Sequence, residues 1–162
     1  MARRIEIEEL EAIYRERFSD FLRIAFAITR DDGMARDAVQ ETFAKALRGR
    51  DDFRGEAPVE AWVWRILVNV ARSMRATPLP ALAGADPEKL AVEAASNGGS
   101  SDFRHWVAAL PERQRLAVFL RYWVDLDYRS IAAALGVEVG TVSATLSAAH
   151  AALRRSLKEV SP

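Results

Sequence analysis

The chain has 162 residues, half of them apolar, 28% charged and none of them cysteine. That is enough for one or two small cores, and it excludes a disordered chain, disulfides and thiol chemistry. Its 23 basic and 23 acidic side chains cancel, whereas a free-standing nucleic-acid binder usually carries a basic balance; any DNA binding therefore has to be local, weak or assisted by a partner. The charged start, Met1 to Glu11, lacks the apolar stretch of a signal peptide. No run approaches the roughly 20 apolar residues that span a membrane, so a cytoplasmic protein without membrane insertion is expected.

No stretch sustains the period-two alternation of a strand, and the patterning predicts an all-α fold of two small helical domains joined by a flexible linker. The first domain covers residues 1–76, the linker 77–101 and the second domain 102–162. Four helices are predicted in the first domain, at about 6–16, 18–29, 32–48 and 58–75. Asp31 or Asp32 suits the N-cap of the third, Gly49 its end, and Pro58 the first turn of the fourth. In the fourth helix Val59, Val63, Ile66, Leu67, Val70 and Met74 form an apolar face. Trp62, Arg65, Asn69 and Arg72, spaced three, four and three, line up on a different face. This second stripe combines a stacking surface with phosphate and base-edge donors, which single-stranded or melted nucleic acid requires. From composition alone the favoured reading is a solvated face with one half-buried Trp. Phe53-Arg54-Gly55 just before it offers an aromatic beside a cation, or an aromatic that closes the core.

The linker opens with Thr77-Pro78-Leu79-Pro80 and closes with Asn97-Gly98-Gly99-Ser100-Ser101, both helix-breaking runs. Asp86-Pro87-Glu88 between them can start a short helix to about Ala95. The linker carries a net charge of −2 and the second domain +2, while the first is neutral.

The second domain holds two short helical patterns hinged at Gly136, a helix-turn-helix whose second helix would enter the major groove. Glycine suits that turn because it adopts positive φ without strain. Val142, Leu146, Ala149 and Leu153 form the inward stripe of the second helix. Its outward face comprises Ser143, Ala144, Ser147, Ala148, His150 and Ala151, and from Val139 to Leu153 there is no Lys or Arg. Alanine favours a stable helix, but the face has little with which to hold phosphate. Tyr122 and Trp123 read as core. His105 and His150, isolated and without cysteine, make no metal site. No phosphate loop, nucleophile elbow or paired-carboxylate motif is present, so neither a cofactor nor enzymatic activity is expected.

Three words in the first domain resemble conserved region two of the extracytoplasmic-function sigma factors, members of the sigma-70 family of bacterial RNA polymerase. They are Asp37-Ala38-Val39-Gln40-Glu41-Thr42-Phe43, Phe53-Arg54-Gly55-Glu56, and Trp62-x-x-Arg65-Ile66-x-x-Asn69. In the second domain, Leu110-Pro111-x-Arg113-Gln114-Arg115, Tyr128-x-x-Ile131-Ala132-x-x-Leu135-Gly136 and Gly140-Thr141-Val142 resemble region four. No single word is decisive, but the ordered set over both domains is specific.

The resemblance implies roles for individual residues. Asp37, Gln40, Glu41 and Phe43 would bind core RNA polymerase, with polar side chains against a basic partner surface and Phe43 as an apolar anchor. The plainer reading of that helix is an amphipathic one with Val39, Phe43 and Leu47 inward. Phe53, Arg54, Trp62, Arg65, Asn69 and Arg72 would recognise the minus-ten promoter element as it melts, bases gaining stacking and hydrogen bonds that offset the cost of opening. Where the family often ends this helix in a dense basic run, this chain has only Arg72, Ser73, Met74 and Arg75. Arg113, Arg115, Thr141, Ser143, Thr145, Ser147 and Arg154 would contact the minus-thirty-five element, more weakly than family members with Lys or Arg on the second helix.

The leading expectation is a sigma factor that binds core RNA polymerase and promoter DNA and is held by an anti-sigma factor. Tethering by the polymerase would compensate for the neutral charge. One rival is a sigma-like interaction protein that binds an anti-sigma factor with little DNA binding of its own. The other is a free-standing helix-turn-helix regulator, which the neutral charge disfavours.

Overall fold

A computed structural model of the chain describes residues 3–76 and 106–160. The expected linker, the short helix predicted within it and the first residues of the second block lie outside these. The described residues hold no strand; six helices lie wholly within them, α1 (Ile7–Thr29), α2 (Asp32–Gly49), α3 (Val59–Ala76), α4 (Glu112–Tyr122), α5 (Tyr128–Leu135) and α6 (Val139–Val160), and residues 106–108 are helical as well.

α1 to α3 form a three-helix block. The two helices predicted at 6–16 and 18–29 are one, because residues 7–29 contain no Gly or Pro to interrupt the backbone. The helix stops at Arg30, which takes the left-handed conformation (φ 56°) and returns its N–H to the Phe26 carbonyl at 2.8 Å. Asp31 then caps α2, its Oδ1 accepting the Met34 N–H at 2.7 Å. Before α1, the Arg3 N–H donates to the Phe53 carbonyl (3.0 Å) and the Ile5 N–H to that of Arg50 (3.1 Å), which ties the start of the chain to the α2–α3 loop. Ile5 is fully buried there.

The core of this block is aromatic. Phe21 packs on the fully buried Trp64 (ring centroids 4.1 Å) and meets Phe43 edge-on at 5.2 Å. Val59, Val63, Leu67 and Val70 of α3 are buried and Ile66 and Met74 pack against them, as the spacing predicts.

In the second block, Asp127 caps α5 by accepting the Ser130 N–H at 2.7 Å, and Gly136 ends the helix at φ 67°. The axes of α5 and α6 then turn through 99°, the helix-turn-helix bend. Val142, Leu146 and Ala149 are buried with Leu153 packed beside them, which matches the expected inward stripe.

The two helical blocks pack on each other. α5 packs across α3, α4 touches α1, and the buried residues of both blocks form one apolar cluster. The physical reason lies in the run Ile131-Ala132-Ala133-Ala134-Leu135. A helix that is apolar nearly all round needs cover on two sides, and α6 supplies one while α3 supplies the other.

Candidate nucleic-acid interface

The α3 stripe emerges on the surface near the α2–α3 loop. Arg65 and Asn69 are exposed, while Trp62 and Arg72 are half-buried. The loop reverses at Gly55, whose φ of 73° only glycine adopts without strain, and this leaves Arg54 exposed beside Trp62. Phe53 stands apart from its neighbours: it is 5% exposed, packs on the Trp62 ring at 5.3 Å and belongs to the core. Of the six residues expected at a melted element, Phe53 therefore supports the stacking ring from beneath, and the other five carry surface. Asp52, Phe53, Arg54, Glu56, Ala57, Trp62 and Arg65 line a cleft of about 290 Å³, closed on one side by Ala133 of α5.

On α2, Asp37 and Gln40 are exposed, and the partly exposed Glu41 pairs with Arg48 at 3.2 Å. Phe43 faces the other way. It is 9% exposed and meets Tyr14 edge-on at 4.9 Å as well as Phe21. The polar three thus lie outside and Phe43 inside. Leu47, placed inward by the amphipathic reading, is 44% exposed instead. Tyr14 and Phe18 of α1 are also exposed, with their rings 5.1 Å apart.

On the helix-turn-helix, Arg113, Ser143, Ser147 and Arg154 are exposed, and Thr141 and Thr145 are half-buried. The Thr145 hydroxyl donates back to the Thr141 carbonyl at 2.6 Å. Pro111, Arg113, Gln114, Gly140, Thr141 and Ala144 are among the residues lining an open groove between α4 and α6. Arg115, expected among the minus-thirty-five contacts, is not on this surface. It is 8% exposed and spans the two blocks, donating to the Ala108 carbonyl (3.1 Å) and, across to α1, to that of Ala27 (3.2 Å). Burial, and after it the nearby Arg30, lower its pKa from the usual arginine range. Tyr122, expected in the core, is exposed and hydrogen-bonds His150 at 2.7 Å.

Glu112, which no sequence motif singles out, opens α4 and faces the end of α3. Its Oε1 accepts from Arg72 Nε at 3.1 Å, and its Oε2 accepts from Arg75 Nη1. Burial pushes this carboxyl up, but hydrogen bonds and charge from Arg75 and Arg72 outweigh it and hold the group below the ordinary carboxylate range. One of the six minus-ten candidates is therefore already bound to a carboxylate. The Gly136 turn also comes up to Arg65, where a Cβ on that glycine would stand 3.9 Å from Nη2. Among the described residues no three His, Asp or Glu side chains cluster as a metal site, and no single helix is long and apolar enough to cross a membrane.

A helical block with an aromatic, arginine and asparagine face, packed on a helix-turn-helix, defines a DNA-reading protein of transcription. Residues 13–77 match Sigma-70 region 2, and residues 102–153 match Sigma-70, region 4. The chain is 32% identical over 138 residues to the ECF RNA polymerase sigma-E factor of Escherichia coli, covering 75% of this chain and 72% of that relative. It is 28% identical over 159 residues to the RNA polymerase sigma-E factor of Streptomyces avermitilis, covering 94% and 87%. Its fold is shared with CnrH, solved in complex with the cytosolic domain of CnrY (TM-score 0.69, 23% identity, 96% of this chain and 92% of that one). The same holds for RpoE from Bartonella quintana, solved with the anti-sigma factor NepR (TM-score 0.69, 21% identity, 96% and 100%). The chain belongs to the extracytoplasmic-function sigma factors of the sigma-70 family, and its function is to direct transcription initiation.

Proposed function

We propose that the two blocks divide the work of promoter recognition unequally, with the first carrying most of it. Asp37, Gln40 and Glu41 engage core RNA polymerase, with the exposed Leu47 of the same helix as an apolar contact. Arg54, Trp62, Arg65, Asn69 and Arg72 hold the opened minus-ten strand. Trp62, braced by Phe53, offers a ring face to a base, and the arginines and Asn69 take phosphate and base edges. The observation that carries this reading is the shallow cleft between Trp62, Arg54 and Arg65, lined by both a ring and cations.

The second block adds a weaker grip on the minus-thirty-five element through Arg113, the start of α6 around Thr141, Ser143, Ser147 and Arg154. The protein works in the cytoplasm with the polymerase and catalyses no reaction of its own. An anti-sigma factor, as found with RpoE of Bartonella quintana, holds it inactive. The bare Ala and Ser face of α6 favours a second reading for that surface, namely contact with protein rather than DNA.

Run-off transcription with purified core polymerase on candidate promoters tests the proposal. Polymerase-dependent transcripts lost on substituting Arg65 or Asn69 support it. No binding to core at micromolar concentration, with tight binding to an anti-sigma domain, would favour the interaction-protein reading.

A further inference from the structure

α2 ends without a left-handed cap. Its C-cap residue, Arg50, stays in the right-handed helical conformation (φ −61°, ψ −27°), so the last carbonyls of the helix need partners from elsewhere. The start of the chain supplies one. The Ile5 N–H donates to the Arg50 carbonyl at 3.1 Å, and two residues back the Arg3 N–H donates to the Phe53 carbonyl at 3.0 Å. Residues 3–5 therefore run alongside residues 50–53 in the opposite direction. The residues they hold lead straight into the Trp62 cleft, which Asp52, Phe53 and Arg54 help to line.

The side chains of this segment differ in what they contribute. Arg3 pairs with Glu9 and Arg4 with Asp51, each at 2.9 Å, but the two arginines are 61% and 59% exposed, and pairs of that kind contribute little. Ile5 is fully buried, and burial of an isoleucine outweighs both pairs. Ile5 is thus the anchor, and the two backbone hydrogen bonds set the register. Between Arg50 and Pro58 only Phe53 is buried, against the Trp62 ring, so the loop has few contacts of its own to fix it.

We propose that Arg3–Ile5 is a positioning strap for the α2–α3 loop. It fixes Phe53 beneath Trp62, and through Phe53 it sets the reach of Arg54 along the cleft. The proposal rests on reading Arg54 and Trp62 as part of the minus-ten site, and it adds what holds that site in shape. No side chain of the strap has to touch DNA. With one strap bond removed, the loop spends part of its time out of place, and apparent affinity falls with the fraction still competent. Phosphate contacts from Arg65 and Arg72 are carried by α3 and do not pass through the loop. Binding of the correct strand should therefore fall more than binding of a scrambled one.

Two substitutions at one position isolate the strap. Arg3→Ala removes the side chain and its pair with Glu9 but keeps the N–H, whereas Arg3→Pro removes the N–H as well. The holoenzyme is assembled from the full-length chain and core polymerase. It is titrated with the fluorescent minus-ten single strand of a promoter that it transcribes, and with a scrambled strand of the same composition. Arg3→Pro should lower the ratio of the two affinities roughly 5-fold relative to Arg3→Ala, the equilibrium weight of one net hydrogen bond. Core-polymerase binding should not change. Ile5→Ala should lower the ratio further, and Ile5→Val, which keeps most of the buried side chain, should restore most of it.

Lost stability alone would reduce the amount of active protein. Binding to both strands and to core would then fall in proportion, and the ratio would stay where it was. An equal ratio in Arg3→Pro and Arg3→Ala therefore overturns the strap, and so does a parallel fall in strand and core binding. Arg54→Ala, titrated with the same two strands, tests the site beneath the proposal. If it leaves the ratio untouched, the reading of the cleft falls and the strap with it. If it lowers the ratio while the two Arg3 variants agree, the strap alone is overturned.

Discussion

The Arg115 guanidinium reaches out of α4 and donates to the carbonyl of Ala27 in α1, 3.2 Å away and 88 residues back in the chain. Its other terminal nitrogen donates to the Ala108 carbonyl, so one side chain satisfies backbone in both blocks. A buried charge survives only when it is paired or hydrogen-bonded, and here two carbonyls perform that service. Arg115→Ala should lower stability by about 2 kcal/mol, the range for hydrogen bonds to a charged group. Arg115→Lys should recover only part of it, because an ammonium lacks the planar fork that serves two acceptors at once. Urea unfolding monitored at the tryptophans measures both, and equal midpoints for all three proteins would refute this role.

Phe53 and Arg65 sit on the same cleft but should respond to substitution in opposite ways. Phe53 is core, and Phe53→Ala should cost about 3–5 kcal/mol of stability. Arg65 is exposed, so Arg65→Ala should leave stability within about 0.5 kcal/mol. It should lower promoter-dependent transcription roughly 10-fold, the effect of one lost contact of about 1–3 kcal/mol. Thermal melts and run-off assays on the same preparations separate the two. A folded Arg65→Ala protein with full transcription would take Arg65 out of the site.

How much of the molecule is legible in its sequence depends on the physics behind each feature. Apolar spacing locates α3 and its buried face, and the Asp and Gly signals locate the caps of α2 and α5. All of these are local, set within a turn or two of helix. The polar and aromatic words identify the family, and five of the six residues they single out for the proposed minus-ten site carry surface. What escapes is non-local. Phe53 and Phe43 look alike as surface anchors or core until their neighbours Trp62, Tyr14 and Phe21 are in place. Arg115 reads as a phosphate contact because its acceptor is a carbonyl 88 residues away, which leaves no trace in sequence. The packing of the blocks does leave one, in the Ile131–Leu135 run, where apolar residues on every side of a short helix demand a second neighbour.

Acid should weaken the contact between the blocks before it unfolds them. Arg72 and Arg75 hold Glu112 below the ordinary carboxylate range, so its pKa is lower in the folded chain than in the unfolded one. Arg115 adds positive charge nearby. The stability it contributes is therefore complete at neutral pH, above about 4.3, and is lost as pH falls through the lowered value. The stability difference between the unaltered protein and Glu112→Gln should be constant from neutral pH down to roughly pH 5 and shrink below pH 4. A difference that persists unchanged into strong acid would show that the charge of Glu112 contributes nothing.

Asp127 should matter to the helix-turn-helix through its cap alone. It accepts the Ser130 N–H at 2.7 Å, and the backbone hydrogen bond from Ser130 is the leading cause of its lowered pKa. Asp127→Ala should cost about 1 kcal/mol, and Asp127→Asn or Asp127→Ser much less, since each can still accept that bond. Hydrogen exchange of the α5 amides reads the effect locally. Equal exchange in the Ala and Asn variants would mean that the cap is not what starts α5.

The cation-free outer face of α6 gives the last prediction. Ser143 and Ser147 are exposed there, one helical turn apart, whereas Thr145 is half-buried and its hydroxyl is engaged with the Thr141 carbonyl. If the weak minus-thirty-five grip comes from missing charge, Ser143→Arg with Ser147→Arg should raise promoter affinity of the polymerase complex. Each new phosphate contact should also steepen the salt dependence by about one unit in the log–log slope. Arginine is a good helix former, so α6 should stay intact and any gain would be electrostatic. The same two substitutions distinguish the rival use of this surface. A face built to meet protein is smooth and uncharged because close packing needs it so, and two arginines there would instead weaken anti-sigma binding. A rise in promoter affinity with unchanged anti-sigma binding would assign the face to DNA, and the opposite pair of results would assign it to protein.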